Sequence, residues 1–391
     1  MNPVIVVATY NRLNSLDRLL KSLCSAVYRN QDVTLIVSVD KHPDLEGEII
    51  EYLADFKWPH GEFLIKTYTN RLGLKEHFLR CCDFALSFGS VVFLEDDFVV
   101  SPWFYRYAES VLAFYSGDPR VAGHSLYSIR INEFANRKFQ PRNDGFGEFF
   151  VQIPSWGKCF TSDQWQQFRD WYDQVDSNDH EELLPAVARK WGTSSFKREY
   201  IKYLAATNRF IAYPRDGLVT NFGLEGTHYT VSDSTVQIPI LMPNKSADEI
   251  KFSHGEFDRS AAVYDTYMEP LPSILAADCG FLEDIDFVVD LYGIKPRSKM
   301  DKEYVLTSKI AKVALLSFGR TLIPHEMNIV SSVEGTHFRL ARVEDLGGRR
   351  KSLALYLSDA SYDLGYASPL KILLVDVMKI VKRALSLLNF R

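Results

Sequence analysis

Through its first hundred residues the chain alternates short apolar runs with stretches in which apolar residues recur at helical spacing. Val4–Ala8 is a β-branched run closed by the polar segment Thr9–Asn14, after which Leu16, Leu19, Leu20 and Leu23 fall at i, i+3, i+4 and i+7. That is the pattern of a buried strand followed by an amphipathic helix. Val33–Val39 repeats the strand pattern and ends at Asp40. Ile49–Phe56 reads as a helix, Glu62–Tyr68 as a third strand, His77–Leu86 as a helix and Ser90–Leu94 as a fourth strand. Apolar strands separated by helices predict an α/β domain whose mostly parallel sheet is covered on both faces. Ligands of such sheets bind beyond the carboxyl ends of the strands. Three polar clusters fall at those ends: Thr9–Arg12, Asp40–His42 and Glu95–Asp97.

Further along, the pattern predicts a helix from Pro102 to Tyr115, a strand at Val121–Tyr127 and a polar active-site loop over 132–150. A short strand and a Trp-rich helix follow in Ser155–Val175, then a helix at Ser195–Thr207 and a strand at Phe210–Tyr213. The domain is expected to span 1–250. The remainder, 251–391, reads as a mostly helical extension: a short apolar helix at Ser308–Phe318, strand-like runs within 327–357 and a strongly amphipathic helix from Pro369 to Arg391.

Composition narrows the class. With 46% hydrophobic and 24% charged residues the chain can bury a substantial core, and 391 residues allow one large domain with additions or two domains. A net charge of −5 speaks against a nucleic-acid partner, which demands a basic surface. The five cysteines (Cys24, Cys81, Cys82, Cys159 and Cys279) are odd in number and contain no CxxC pair. A zinc site or disulfide framework is not expected, and a reducing compartment is. No apolar run approaches the roughly 18 residues of a membrane span, so the chain is expected in the cytoplasm or peripherally on the inner face of the cell membrane.

The candidate chemistry centres on Glu95, Asp96 and Asp97, three adjacent carboxylates between the apolar runs Val91–Leu94 and Phe98–Val100. Their mutual repulsion calls for compensation, which a hard divalent cation on oxygen ligands supplies. Such a cation can also take up charge developing on a departing diphosphate.

The segment VVFLEDDFVVSPWFYRY resembles the metal-binding region of GT-A fold glycosyltransferases, particularly the N-acetylglucosaminyltransferase I branch. The opening VIVVATYNRLNSLDRLLKSL is similar to the start of family-two glycosyltransferases. NRLGLKEHFLRCCDFA resembles the stretch of that family that packs beside the nucleotide, and FIAYPRDGLVTNFGLEGTHY is similar to a late motif of bacterial lipopolysaccharide and polysaccharide transferases. The resemblance covers about residues 3–230 and implies a GT-A fold with an inverting, metal-dependent activity. A sugar would pass from a nucleotide diphosphate, with a UDP-sugar the first expectation, to a saccharide or lipid-linked saccharide in bacterial surface polysaccharide or lipopolysaccharide synthesis.

The resemblance assigns roles residue by residue. Asp97 becomes the direct ligand of Mn²⁺ or Mg²⁺, with His228 as a further metal or diphosphate contact. Glu95 and Asp96 face the ribose, base or metal water shell. Asp40 reads the base, Thr9, Tyr10 and Arg12 lie beside the nucleotide, and Trp156 of the Trp156–Gly157 pair lines the sugar pocket. For the base that deprotonates the acceptor hydroxyl, the family's position maps onto a stretch whose acid is Glu199, with Asp179, Glu181 and Glu182 just upstream.

In the terminal helix Lys371, Lys379, Lys382, Arg383 and Arg391 oppose the single acid Asp376. That charge suits an anionic membrane interface, or else the helix docks on protein. Two rival functions differ in kind. A nucleotidyltransferase would need a glycine-rich loop after the first strand, where this chain has ATYNRLNS. A catalytically silent carbohydrate-binding protein on the same fold is the other.

Overall fold

The computed structural model describes residues 1–29, 32–43, 46–222, 236–243, 250–347 and 361–362. The chain divides into two compact units, Met1–Ile129 with Pro141–Ile274, and Arg130–Gln140 with Leu275–Arg391.

The first unit opens with β1 (Val4–Thr9), α1 (Leu13–Cys24), β2 (Leu35–Val39), α2 (Glu46–Asp55), β3 (Phe63–Thr67), α3 (Leu74–Cys82), α4 (Phe84–Phe88) and β4 (Ser90–Glu95). The alternation expected from the pattern is present, except that the third helix breaks at Asp83 into two pieces. The four leucines of α1 are fully buried and Val4–Val7 are at most 1% exposed, so helix stripe and strand meet in one core. Next come β5 (Phe98–Val100), α5 (Phe104–Tyr115) and β6 (Val121–Ser125). The two-residue strands β7 (Ile131–Asn132) and β8 (Arg137–Lys138) pair as a small hairpin of the second unit. The first unit resumes with β9 (Glu148–Val151), β10 (Lys158–Thr161), α6 (Ser162–Tyr172), α7 (Phe196–Ala206), β11 (Phe210–Pro214), β12 (Val219–Asn221) and β13 (Val263–Tyr264).

Nine of these strands form one mixed sheet in the order β13-β9-β11-β6-β10-β4-β1-β2-β3. Strands β3, β2, β1 and β4 are mutually parallel, and β10 enters antiparallel between β4 and β6. A separate antiparallel ribbon joins β5 to β12, pairing Val100 with Val219 and Phe98 with Asn221. Helix α6 starts with a reciprocal capping box between Thr161 and Gln164. Its Trp165 and Phe168 pack with Phe160, Phe196, Tyr200 and Tyr203 in an aromatic layer under β10. The polar stretch expected as an active-site loop is used structurally. Asp144 pairs with Arg215 and accepts from Ser260, while Glu148–Val151 is an interior strand. The first unit also runs past residue 250, because β13 adds to the sheet beside β9.

The second unit holds a four-stranded sheet built from β14 (Phe287–Asp290), β15 (Tyr304–Thr307), β16 (Leu316–Phe318) and β17 (Phe338–Arg342), in the order β14-β15-β17-β16. Val289 of β14 packs with Leu282, Leu306, Ile329, Phe338 and Leu340 in the core of this unit. The helix α8 (Pro272–Asp278) straddles the boundary between the units, and the short α9 is Met327–Val330. Ser308–Phe318 is not the helix expected. Val313 and Leu315 are exposed and the run ends in β16, whose pairing with β17 decides its conformation. The expected terminal amphipathic helix and His228 lie outside the described residues.

Candidate donor site at the strand ends

Strand β1 has β2 on one side and β4 on the other. The chain builds outward from β1 through β2 to β3, then returns across β1 to lay down β4. The order therefore reverses between β1 and β4, and the crevice of an open α/β sheet lies at such a point. Thr9, Asp40 and Glu95 end or follow the three strands concerned.

The Asp96 amide continues the ladder by donating to the Ala8 carbonyl at 3.2 Å. Thr9 Oγ1 donates to Asp96 Oδ2 at 2.8 Å. From the residue before α1, Arg12 spans both acids, with Nη2 on Asp96 Oδ1 and Nη1 3.1 Å from Asp97 Oδ2. Burial alone would lower the Arg12 guanidinium, but Asp96 and Asp97 outweigh it and hold the group above its ordinary value. Burial pushes the Asp96 carboxyl up to about 6, with Arg12 and the Thr9 hydroxyl acting against it and Asp97 with it. An unpaired carboxylate at this depth would cost on the order of several kcal/mol. Arg12 supplies the offsetting charge.

Asp97 Oδ1 is buried without a hydrogen-bond partner among the described residues. The Asp97 carbonyl accepts from the Phe222 amide at 2.8 Å, so the β5–β12 ribbon fixes the turn that carries this side chain. The Phe222 ring lies 3.6 Å from the guanidinium carbon of Arg18, one turn into α1. Burial lowers the Arg18 guanidinium, and the nearby Asp97 carboxylate opposes that. Helix α1 begins with no side-chain cap and no acid in its first turn. Its first amides are therefore open to an anion at the same strand ends.

The acidic triplet divides between two partners, because Glu95 ends β4 whereas Asp96 and Asp97 lie in the turn after it and share Arg12. Glu95 points away from Arg12 toward Lys158, whose Nζ is 3.8 Å from Glu95 Oε1 and lies over the rings of Phe78, Phe93 and Phe196. Burial raises the Glu95 carboxyl to about 7, with Lys158 pulling it down and Asp97 and Asp96 adding to the rise. Among the described residues, no three His, Cys, Asp or Glu side chains gather as a metal cage. The residues nevertheless fit a divalent cation in one respect. A buried, unpartnered oxygen of Asp97 can serve as a single protein ligand, with diphosphate oxygens completing the shell.

Asp40 performs a different local task. Its Oδ1 accepts from the Lys41 amide at 2.9 Å and the Leu72 amide at 2.8 Å, and its Oδ2 from the Gly73 amide at 3.0 Å. It thereby fastens residues 71–73 to the end of β2, and three of a carboxylate's roughly four acceptor sites are filled. Behind it, His77 Nε2 meets Ser38 Oγ at 2.8 Å, and burial pushes the imidazole down to about 4. At the mouth, the Tyr10 ring packs against His42 at 4.8 Å, and the Arg71 guanidinium lies 4.8 Å from its centroid.

Trp156 meets Tyr127 edge-on at 4.9 Å, and Gly157 beside it has φ +61°. A Cβ at Gly157 would stand 2.8 Å from Val219 Cγ2 and 3.0 Å from Leu126 Cβ, so only glycine lets β10 start so close to β12. Glu199 lies elsewhere. It is 3% exposed, with Oε1 on Arg198 and Oε2 3.4 Å from Lys202, and Glu181 pairs with the same two cations. Both its oxygens serve an internal ion cluster on α7, which is not the arrangement of an acceptor-side base. Arg18, Phe222 and Lys158 did not stand out in the sequence. Arg18 sits six residues beyond Arg12 on a helix that starts at the acidic turn, and that was the available signal.

No curated protein matches the chain. Among solved structures, S. aureus TarS 1-349 in complex with UDP-GlcNAc is 15% identical, with a TM-score of 0.39 over 59% of this chain and 61% of that one. The mannosyltransferase PcManGT from Pyrobaculum calidifontis, in complex with GDP-Man and Mn²⁺, is 13% identical, with a TM-score of 0.38 over 58% of each chain. The chain thus spans less than two thirds of the length of these structures. Residues 4–174, which contain Thr9, Arg12, Asp40, the acidic triplet and Trp156, match the model of glycosyl transferase family 2, and the first unit has the GT-A fold.

Proposed function

We propose that the first unit binds a nucleotide-diphosphate sugar at the ends of β1, β2 and β4 and transfers the sugar to a saccharide hydroxyl. The observation that carries this is the buried, unpartnered Asp97 Oδ1 beside Arg12 at the strand-order reversal, within the segment that matches glycosyl transferase family 2. A Mn²⁺ or Mg²⁺ ion held by Asp97 would draw off the negative charge that builds on the diphosphate as the sugar–phosphate bond breaks.

The chain's own residues do the rest. Thr9 holds Asp96, so the turn that presents Asp97 keeps its shape. The open N-terminus of α1 and the guanidinium groups of Arg12 and Arg18 offer positive potential to the leaving diphosphate. Asp40 fixes the 71–73 loop on the nucleotide side, where Tyr10 presents a ring to a base. Trp156 stands toward the sugar. The donor is a UDP-sugar in the first instance, the acceptor a bacterial surface saccharide or lipid-linked saccharide, and inversion at the anomeric carbon the stereochemical outcome. The Glu199 carboxylate is not proposed as the base.

Nucleoside diphosphate release across a panel of donor sugars, with and without Mn²⁺, tests the assignment. Asp97→Asn should reduce metal-dependent release at least about 100-fold, the scale of a lost transition-state electrostatic contact. Its melting temperature should stay close to that of the parent. Undiminished release by the variant would sink the role of Asp97, and no release by the parent with any donor would sink the function.

A further inference from the structure

Three features invite a further role: the Ser110–His254–Glu148 chain and the aromatic hollow around Tyr292 and His325, both away from the donor pocket, and the Arg12 bridge within it. The first has 2.6 Å between Ser110 Oγ and His254 Nε2 and 2.9 Å between His254 Nδ1 and Glu148 Oε1. Ser110 lies inside α5, where its amide belongs to the helix, so the order of groups resembles a nucleophilic triad without donors to hold an oxyanion. In the second, the rings of Tyr292, His325 and Tyr362 pack on one another and Arg320 covers Tyr362. Their faces already have occupants. The Arg12 bridge carries further.

Arg12 contacts one oxygen of Asp96 and one of Asp97, the two carboxylates nearest the proposed metal position. One monovalent group therefore bridges both acids in the donor-free protein and offsets one of their two negative charges. A divalent cation bound through Asp97 would stand within a few ångströms of that guanidinium, and two cations repel too strongly to share the pair. The guanidinium has a better place to go once a donor is present, because its planar fork matches phosphate oxygens. It is also 30% exposed, at the junction of a turn and a helix, so it can leave without unpacking the core.

We infer that Arg12 is an internal counter-ion, displaced from Asp96 and Asp97 when metal and nucleotide arrive and passed to the diphosphate. This rests on the reading of the site as a donor and metal pocket. It has a consequence that reading lacks: without nucleotide, Arg12 itself opposes the metal at Asp97, so removing its charge should tighten the binding of metal alone.

The test measures Mn²⁺ binding by the paramagnetic signal of the free ion, using the full chain with no donor, with UDP and with GDP. In the parent, Mn²⁺ alone should bind weakly, and its affinity should rise at least about tenfold when a nucleotide that binds is added. In Arg12→Met, Mn²⁺ alone should bind at least about tenfold more tightly than in the parent, while nucleotide affinity in the presence of metal falls. Arg12→Lys keeps a cation beside the acids and should keep the weak binding of metal alone, which separates loss of charge from loss of fold. Asp97→Asn added to Arg12→Met should erase the gain. Equal Mn²⁺ affinity in the parent and Arg12→Met, or a gain that survives Asp97→Asn, overturns the counter-ion role. If neither UDP nor GDP binds the parent with Mn²⁺, the donor reading falls by itself, and the metal-only comparison still decides what Arg12 does.

Discussion

At the scale of single residues, the acids at the β4 terminus meet different demands. Asp96 is oriented by Thr9 and Arg12, whereas Glu95 is held in a half-closed environment with Lys158 as its partner. The Glu95 carboxyl rises from 4.5 to about 7, and Asp96 from 3.8 to about 6. Groups raised in this way bind protons more tightly in the folded than in the unfolded chain. Their ionisation therefore removes stability as pH rises from about 4 through their folded values. For Glu95→Gln, melting temperatures at pH 5 and pH 8 should show a variant near the parent at pH 5 and gaining on it toward pH 8. The rise to about 7 sets an upper limit of about 3 kcal/mol on that gain. A difference that stays constant across the range would show that Glu95 is ionised throughout. The residue types at this site were legible in the sequence, since a carboxylate triplet after an apolar run is conspicuous. Their division between two partners was not legible, because it depends on where β4 ends. Nor was the commitment of Asp40 to the amides of Leu72 and Gly73, 32 and 33 residues away.

Among the elements, the parallel half of the sheet was legible because each strand is apolar throughout and each helix carries a stripe. The remainder was set by long-range pairing. β10 lies antiparallel between β4 and β6, and nothing within KCFT specifies those neighbours. Ser308–Phe318 shows the general difficulty, since a short apolar run does not distinguish helix from strand. Two substitutions test the devices that hold β10 in place. Thr161→Ala removes the cap from α6 and should cost about 1 kcal/mol in denaturant unfolding. Gly157→Ala places a methyl group against Val219 and Leu126 at a left-handed φ, and should cost about 1–3 kcal/mol. Because Val219 pairs with Val100 in the ribbon that carries Asp97, the glycine substitution should also weaken nucleotide binding, while the cap substitution leaves it unchanged. Equal effects of the two on binding would mean that the ribbon does not fix the Asp97 turn.

For the whole molecule, the limits of the first unit matter more than its length. Ending the chain at residue 250 would remove β13, the His254 contact to Glu148 and the pairing of Asp258 with Arg120. Glu148 would keep the hydroxyls of Tyr107 and Tyr115 as its side-chain partners among the described residues. That truncation should melt at least several degrees below the full chain and be cut faster by protease near β9. Equal resistance would show that the strand beside β9 is dispensable. Among the described residues, no helix is long and apolar enough to cross a membrane. The second unit, for its part, is not a simple tail, since residues 130–140 belong to it and the Lys138 carbonyl accepts from Tyr292. The polypeptide therefore enters that unit twice and leaves it once, through junctions at 129/130, 140/141 and 274/275. Recombination at one junction cannot exchange it. Any ancestor or engineer that acquired a different second unit had to graft a hairpin and a C-terminal segment together, so the two are expected to be inherited as a matched pair.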